Sequence, residues 1–254
     1  MHTVAVLNQK GGSGKTATSV NIAAAIGRAG RQRVLVIDLD PQGSATGWLG
    51  GSMLGEESLE AVKGRTPLAP LIQPTSAKGV HLLAASEFLM LADRQYNPKT
   101  NQEQAFRTSL RALQGLFDLV LIDCPPTLNV LALTALIAAD SVLIPVEASS
   151  MAMRGLSSLM DTIGDVRDVN PGLKVLGILP CRIDARTSIT RDVIQTLREH
   201  FPRELLKTGI RETVRMKEAP LYKQSILDSA PTSTAAEDYR EAAKEITKRL
   251  RRIT

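Results

Sequence analysis

Aromatic residues are scarce in this 254-residue chain, with four Phe, three Tyr and one Trp making 3%. Stacking of nucleobases needs a platform of such rings, so any nucleic-acid binding has to act mainly through phosphates. Cysteine is equally sparse: Cys124 and Cys181 lie far apart with no CxxC and no nearby His pair. That argues against a zinc site or a disulfide framework and fits a reducing cytoplasm. Histidine is limited to His2, His81 and His200, none of them in a motif, so no histidine is assigned as a general base. No apolar stretch approaches the roughly 20 residues needed to cross a bilayer, because the longest candidate, Val130 to Val146, carries Asp140 in its middle. The first apolar run, Thr3 to Leu7, follows Met1 almost at once, which leaves no signal-peptide pattern.

What is present suits one large α/β domain spanning residues 1–254. Hydrophobic residues make up 43% of the chain, ample for a packed core. The net charge of +5 favours an anionic partner, nucleic acid or acidic lipid. Short runs rich in Val, Ile and Leu recur at Thr3 to Leu7, Arg33 to Asp38, Val80 to Leu83, Leu119 to Asp123, Ser141 to Val146 and Lys174 to Leu179. Helix-length amphipathic segments separate most of them, which predicts a doubly wound, mostly parallel sheet with helices on both faces. Ligands in such sheets bind at the carboxyl ends of the strands, where Asn8, Asp38, Asp123 and Pro180 fall. The stretch Gly50 to Gly79 reads as an irregular excursion around a short helical piece near Ser58 to Lys63. Ala235 to Ile253 places Tyr239, Ala243, Ile246, Leu250 and Ile253 on one stripe and most cations elsewhere, a basic amphipathic helix.

The strongest chemical signal follows the first strand: Asn8-Gln9-Lys10-Gly11-Gly12-Ser13-Gly14-Lys15-Thr16, then Ala17 and a helical segment to about Arg28. Glycines let consecutive backbone N–H groups turn toward phosphates, and the helix N-terminus adds its positive dipole end. Lys15 is suited to neutralise phosphate charge and Thr16 to offer a hydroxyl to Mg²⁺. A chance Gly-rich turn has no reason to carry Gly-Lys-Thr at a helix start. The common GxxxxGK[ST] pattern demands Gly at position 9, where this chain has Gln9 and, next to it, a second lysine.

Two acidic strand ends complete the pattern. Asp38-Leu39-Asp40-Pro41-Gln42-Gly43 offers two carboxylates that could simply solvate a turn, but that beside a phosphate loop suit the ordering of metal-bound and attacking water. Leu119 to Asp123 ends in one aspartate before Cys124-Pro125-Pro126, as in a Walker B element, and makes Asp123 a metal-side carboxylate. For a lone aspartate at a strand end, capping of the following helix is the plainer reading, but the two motifs together favour the metal-side role.

The loop KGGSGKT is a deviant Walker A sequence, and in it the chain resembles the ParA/MinD family of P-loop NTPases. FDLVLIDCPPTLNVLALTALIAADSVLIPVEASSMAMRGLSSL and GIRETVRMKEAPLYKQSI resemble blocks of the chromosomal ParA (Soj) branch. The resemblance implies an ATP-hydrolysing DNA-partitioning switch, cytoplasmic and nucleoid-associated, with ATP and Mg²⁺ as cofactors. It implies a sandwich homodimer in which Lys10 reaches the partner's phosphates, so that Lys10, Lys15 and Asp40 are the catalytic set, Asp40 positioning water. Thr16, Asp38 and Asp123 serve the metal, with Asp38 in the outer shell. The phosphates lie on Lys10 to Ala17. The base is expected against the strand-end loop Pro180, Cys181 and Arg182 or the loop near Arg211, and the resemblance makes it adenine.

The same resemblance implies non-specific double-stranded DNA binding by the dimer and a ParB-type partner that stimulates hydrolysis. Arg203, Arg211, Arg215, Lys217, Lys223, Arg249, Arg251 and Arg252 are the candidate DNA contacts. The segment Ser229 to Thr234 has no arginine where the family often has one. The short N-terminus lacks the helix-turn-helix region of larger plasmid partition proteins. A MinD-like membrane switch is the nearest rival, but the apolar face of the last helix has no Trp or Phe, and no membrane partner is expected. An iron–sulfur reductase of the same fold needs subunit-bridging cysteines, and a DNA-coating protein that binds ATP without turnover has no use for the carboxylates.

Overall fold

The computed structural model describes residues 1–30, 32–96, 102–149, 152–184 and 186–253. The strands are β1 (His2–Val6), β2 (Val34–Asp38), β3 (Ile72–Pro74), β4 (Val80–Leu83), β5 (Leu119–Asp123), β6 (Ser141–Glu147) and β7 (Lys174–Cys181). They form one sheet in the order β3-β4-β2-β5-β1-β6-β7, and every pairing is parallel except β3 with β4. The expected doubly wound sheet is therefore present. The excursion after Gly50 does hold a short helix, but it also holds the edge strand β3, whose three residues end in Pro74. A run so short, with a proline that cannot donate to a ladder, carries no strand signal in sequence and is tolerated only at an edge.

Alternation along each strand divides the core. On one face Ala5, Leu35, Ile37, Val120 and Ile122 pack beneath α3 (Glu57–Val62), α4 (Gln102–Arg111), α5 (Val130–Ala138), α6 (Ala152–Val166) and α7 (Ser188–His200). On the other, Val4, Val34, Val36, Leu119 and Leu121 meet α1 (Lys15–Arg28), α2 (Ser44–Trp48), α9 (Ile226–Ser229) and α10 (Thr234–Ile253). The short α8 (Arg215–Glu218) stands at the rim of the sheet's carboxyl end. In α10 the buried stripe is Tyr239, Ala242, Ala243, Ile246 and Leu250, so its apolar face is spent on α1 and β7. Among the described residues no helix is long and apolar enough to cross a membrane.

Parallel pairing fixes the functional end of the sheet. Asp38 lies directly beside Asp123 in register, and Asp123 also lies beside Val6, the last residue of β1. The phosphate loop, both acidic strand ends and the end of β7 are thereby gathered at the carboxyl end of the sheet.

Gly27 shows how tightly α1 is seated. A Cβ there would lie 2.7 Å from the Lys78 carbonyl oxygen and 3.0 Å from Gly79 backbone atoms. In an exposed helix Gly→Ala stabilises by up to about 1 kcal/mol. Gly27→Ala is expected to do the opposite and cost about 1–3 kcal/mol in urea unfolding, because the clash is with backbone that cannot rotate away.

Candidate nucleotide site

The turn from β1 into α1 is built for an anion. Gly14 caps α1 in the left-handed region at φ 94°, no side chain bonds the first helical N–H groups, and the first turn holds no acidic residue. The positive end of the helix is left for a ligand. Ser13 beside it is fully buried with a hydroxyl that has no partner, an orphaned polar atom that a phosphate oxygen would satisfy. Lys15 is 7% exposed, and its ammonium donates to the Lys10 carbonyl at 3.3 Å. Burial lowers the Lys15 pKa, while Asp123, Cys124 and Asp40 pull it back up.

Beneath the loop sits the carboxylate of Asp123. The hydroxyl of Thr16 donates to Asp123 Oδ2 at 2.8 Å and that of Ser19 to Oδ1 at 2.8 Å. Asp38, alongside, accepts at Oδ2 from Thr46 N–H at 2.7 Å and from the Thr46 hydroxyl at 2.8 Å, and at Oδ1 from Asp40 N–H at 3.2 Å. Burial raises the pKa of Asp38 and the neighbouring Asp123 adds to the rise. Burial also raises Asp123, opposed by the hydroxyls of Thr16 and Ser19 and by Lys15. Among the described residues no group of three or more His, Cys, Asp or Glu is arranged to hold a metal. That donor set suits Mg²⁺, which takes one or two carboxylates and completes its shell with waters and substrate phosphates.

A cavity of about 490 Å³ opens above these groups, lined by Gly11, Gly12, Gly14 to Ala17, Asp40, Ser44, Trp48, Cys181 and Arg182, and closed by Ile210 to Thr213, Met216, Lys217 and Tyr239. A volume of that size suits a small cofactor or nucleotide. Pro180 does not reach it. That residue is buried in β7 and its carbonyl accepts from Ile210 N–H at 2.8 Å, so on this side the cavity wall starts at Cys181. Burial pushes the Cys181 thiol up to about 12 and the Cys124 thiol higher still.

Lys10 points the other way from Lys15. Its ammonium bonds the Glu147 carboxylate at the end of β6 and the Ser149 hydroxyl at 3.1 Å. Glu147 also pairs with Arg182 at 3.2 Å, and Arg182 with Glu212 at 3.1 Å, so a chain of charges crosses the mouth of the cavity. Sequence reasoning missed Thr46, Ser19, Glu147, Trp48 and Met216. Each is brought in by the fold, and none stands in a spacing that marks it.

The basic candidates divide. Arg249 donates to the carbonyls of Leu176, Arg203, Glu204 and Leu205 and to Glu245, which fastens α10 to the chain before it. Arg211 is held by Asp238 at 2.6 Å and by Glu237 at 3.2 Å, which raises its pKa further. Both cations thus help to seat α10, while the Arg211 side chain remains 42% exposed. Arg215 pairs with Glu218, whereas Arg203, Lys217, Lys223, Arg251 and Arg252 have no ion pair among the described residues. Lys217 stands at the nucleotide cavity, and Arg203 and Arg252 line a groove at the far end of α10 with Lys207, Lys244 and Lys248. Lys217 and the Arg203–Arg252 groove thus belong to different cavities.

With this geometry in view, the comparisons with known proteins are decisive. Residues 1–175 match the family model described as an AAA domain. The chromosome-partitioning ATPase Soj of Thermus thermophilus is 41% identical over 97% of this chain and 96% of its own length. The chain belongs to the Soj/ParA family of P-loop ATPases. The sporulation initiation inhibitor protein Soj of Bacillus subtilis is 36% identical over 96% of this chain and 97% of its own. Among solved structures, cobyrinic acid a,c-diamide synthase of Mycobacterium smegmatis, with bound ATP analogue and magnesium, superposes on this Soj/ParA chain at TM-score 0.84, with 34% identity, covering 99% of this chain and 96% of that one. The septum site-determining protein MinD of Pyrococcus horikoshii, complexed with Mg-ADP, shares the fold at TM-score 0.77 and 23% identity, covering 100% of this chain and 98% of that one.

The two raised carboxyls set a pH dependence. A carboxyl that titrates higher in the folded chain than in the unfolded one contributes stability that is complete at acid pH. That contribution is lost as pH rises through the folded value. A magnesium nucleotide takes the ionised form, so the gain in thermal midpoint from Mg-ATP is expected to be larger near about pH 8 than near about pH 6. Equal gains at both would contradict a metal-side role for the pair.

Proposed function

We propose that the chain is a DNA-partitioning ATPase that works as an ATP-bound sandwich homodimer on non-specific double-stranded DNA, in the cytoplasm and on the nucleoid. The observation that carries this reading is the division of labour within one loop. Lys15 is buried at the start of α1, while Lys10 stands half-exposed on Glu147 and Ser149 at the cavity mouth. The first cation serves the chain's own phosphates. The second is placed where the nucleotide of a second copy can compete with Glu147 for it.

In this reading the N–H groups of residues 10–16 and the Lys15 ammonium hold the β- and γ-phosphates, and Arg182 flanks the base. Mg²⁺, when bound, neutralises charge on the phosphate oxygens. Thr16, through its hydroxyl, and Asp123, through water, would hold the ion, with Asp38 behind them. Asp40 orients the attacking water, and the partner's Lys10 stabilises charge developing on the transferred group. A ParB-type protein accelerates the step. Arg203, Arg215, Lys217, Lys223, Arg251 and Arg252 supply phosphate contacts, and pairing two copies joins surfaces that are separate on one. The buried apolar stripe of α10 favours DNA over a MinD-like membrane role, since it leaves no apolar face for lipid.

DNA binding compared across no nucleotide, ADP and ATP tests the reading. Binding is expected with ATP alone and is expected to weaken steeply with salt. Nucleotide-independent DNA binding, or flotation with anionic liposomes in its place, would overturn it. Lys15→Ala is expected to abolish nucleotide binding. Asp40→Ala is expected to keep ATP and lower turnover about 100-fold, and unchanged hydrolysis by that variant would remove Asp40 from its role.

A further inference from the structure

The loop that carries Asp40 is closed by a residue outside the phosphate-binding pattern. Thr46, the third residue of α2, is 1% exposed. Its N–H and its hydroxyl both donate to Asp38 Oδ2, at 2.7 and 2.8 Å, while Asp38 Oδ1 accepts from Asp40 N–H at 3.2 Å. One carboxylate therefore fastens both ends of the loop 39–45. Thr46 is itself anchored: its hydroxyl oxygen accepts from Ala85 N–H at 2.9 Å just beyond β4, and its carbonyl accepts from Gly51 N–H at 2.9 Å. The hydroxyl has one proton, and the donor at Ala85 leaves Asp38 as its acceptor.

We propose that Thr46 is a positioning residue for ATP hydrolysis, holding Asp38 so that the loop presents Asp40 to the cavity. This rests on the reading that Asp40 orients the attacking water. Thr46 does not line the nucleotide cavity, whereas Asp40, Ser44 and Trp48 of the same segment do. Its effect travels through the loop it closes. Removing the hydroxyl leaves the Ala85 N–H without its acceptor and takes one donor from a buried carboxylate, and both losses loosen the segment that bears Asp40. Lys15 and the phosphate loop stay as they are. The signature is thus a fall in kcat at nearly constant KM for ATP.

Trp48 gives a second readout. It is the chain's one tryptophan, lies two residues beyond Thr46, and donates its indole N–H to the Gln224 carbonyl at 2.7 Å. Its emission reports on the segment independently of turnover.

The experiment compares the full chain with Thr46→Val, Thr46→Ser and Thr46→Cys, and with Ile163→Val, a core change in α6 on the opposite face of the sheet, as a stability control. Steady-state hydrolysis and the Trp48 emission change on adding Mg-ATP are measured for each. Thr46→Val is expected to lower kcat roughly 10–100-fold with KM within about threefold, the scale of a displaced catalytic group. It is also expected to alter the emission change. Thr46→Ser, which keeps the hydroxyl, restores both, and Thr46→Cys, a weak donor, falls between and carries the test if the valine variant does not fold. Turnover by Thr46→Val or Thr46→Cys no lower than that of Ile163→Val overturns the inference alone. Absence of ATP hydrolysis by the unaltered chain overturns the parent reading and this inference with it.

Discussion

Two carboxylates held side by side in a dry interior are the constraint around which the rest of the site is arranged. Parallel pairing of β2 with β5 sets Asp38 beside Asp123, and both are all but inaccessible to water. Like charges placed so are costly unless donors converge on them. The chain supplies those donors from three separate elements: Thr16 and Ser19 from α1, Thr46 from α2, and the backbone of Asp40. Each element is thereby tied to the pair, and each also borders the nucleotide cavity. In the proposed function, the Mg²⁺ of a bound nucleotide would supply the positive charge that the pair lacks.

The same electrostatics explain the mouth of the site. Lys10, Arg182, Glu147 and Glu212 alternate in sign across it, so Lys10 is partnered before any phosphate arrives. A half-exposed ion pair of this kind is weak and exchangeable. Lys15, by contrast, is buried, and the desolvation that lowers its pKa is relieved by an anion at the end of α1. One lysine is fixed by burial and the other is held by a bond that can be traded, which is the physical difference on which the proposed division between binding a nucleotide and responding to a second subunit rests.

Much of this was legible in the sequence. Near-continuous apolar runs gave the parallel strands, and Lys10 to Thr16 with the aspartates at 38, 40 and 123 marked the carboxyl end of the sheet, where chemistry gathers. What escaped notice depends on contacts distant in sequence or too short to pattern. Strand β3 has three residues and a proline. Thr46 matters because Asp38 lies eight residues back and Ala85 thirty-nine ahead, a meeting that only the sheet creates. The carboxylates and carbonyls that meet Arg211 and Arg249 are likewise distant along the chain and invisible in a linear sequence.

The most direct test of the account is a crystal structure of the chain with Mg²⁺ and a non-hydrolysable ATP analogue. The account predicts a two-fold dimer in which Thr16 has turned its hydroxyl from Asp123 to the metal and Lys10 has left Glu147 for the partner's phosphates. A monomer with the nucleotide bound, Lys10 still on Glu147 and Thr16 still on Asp123 would contradict it.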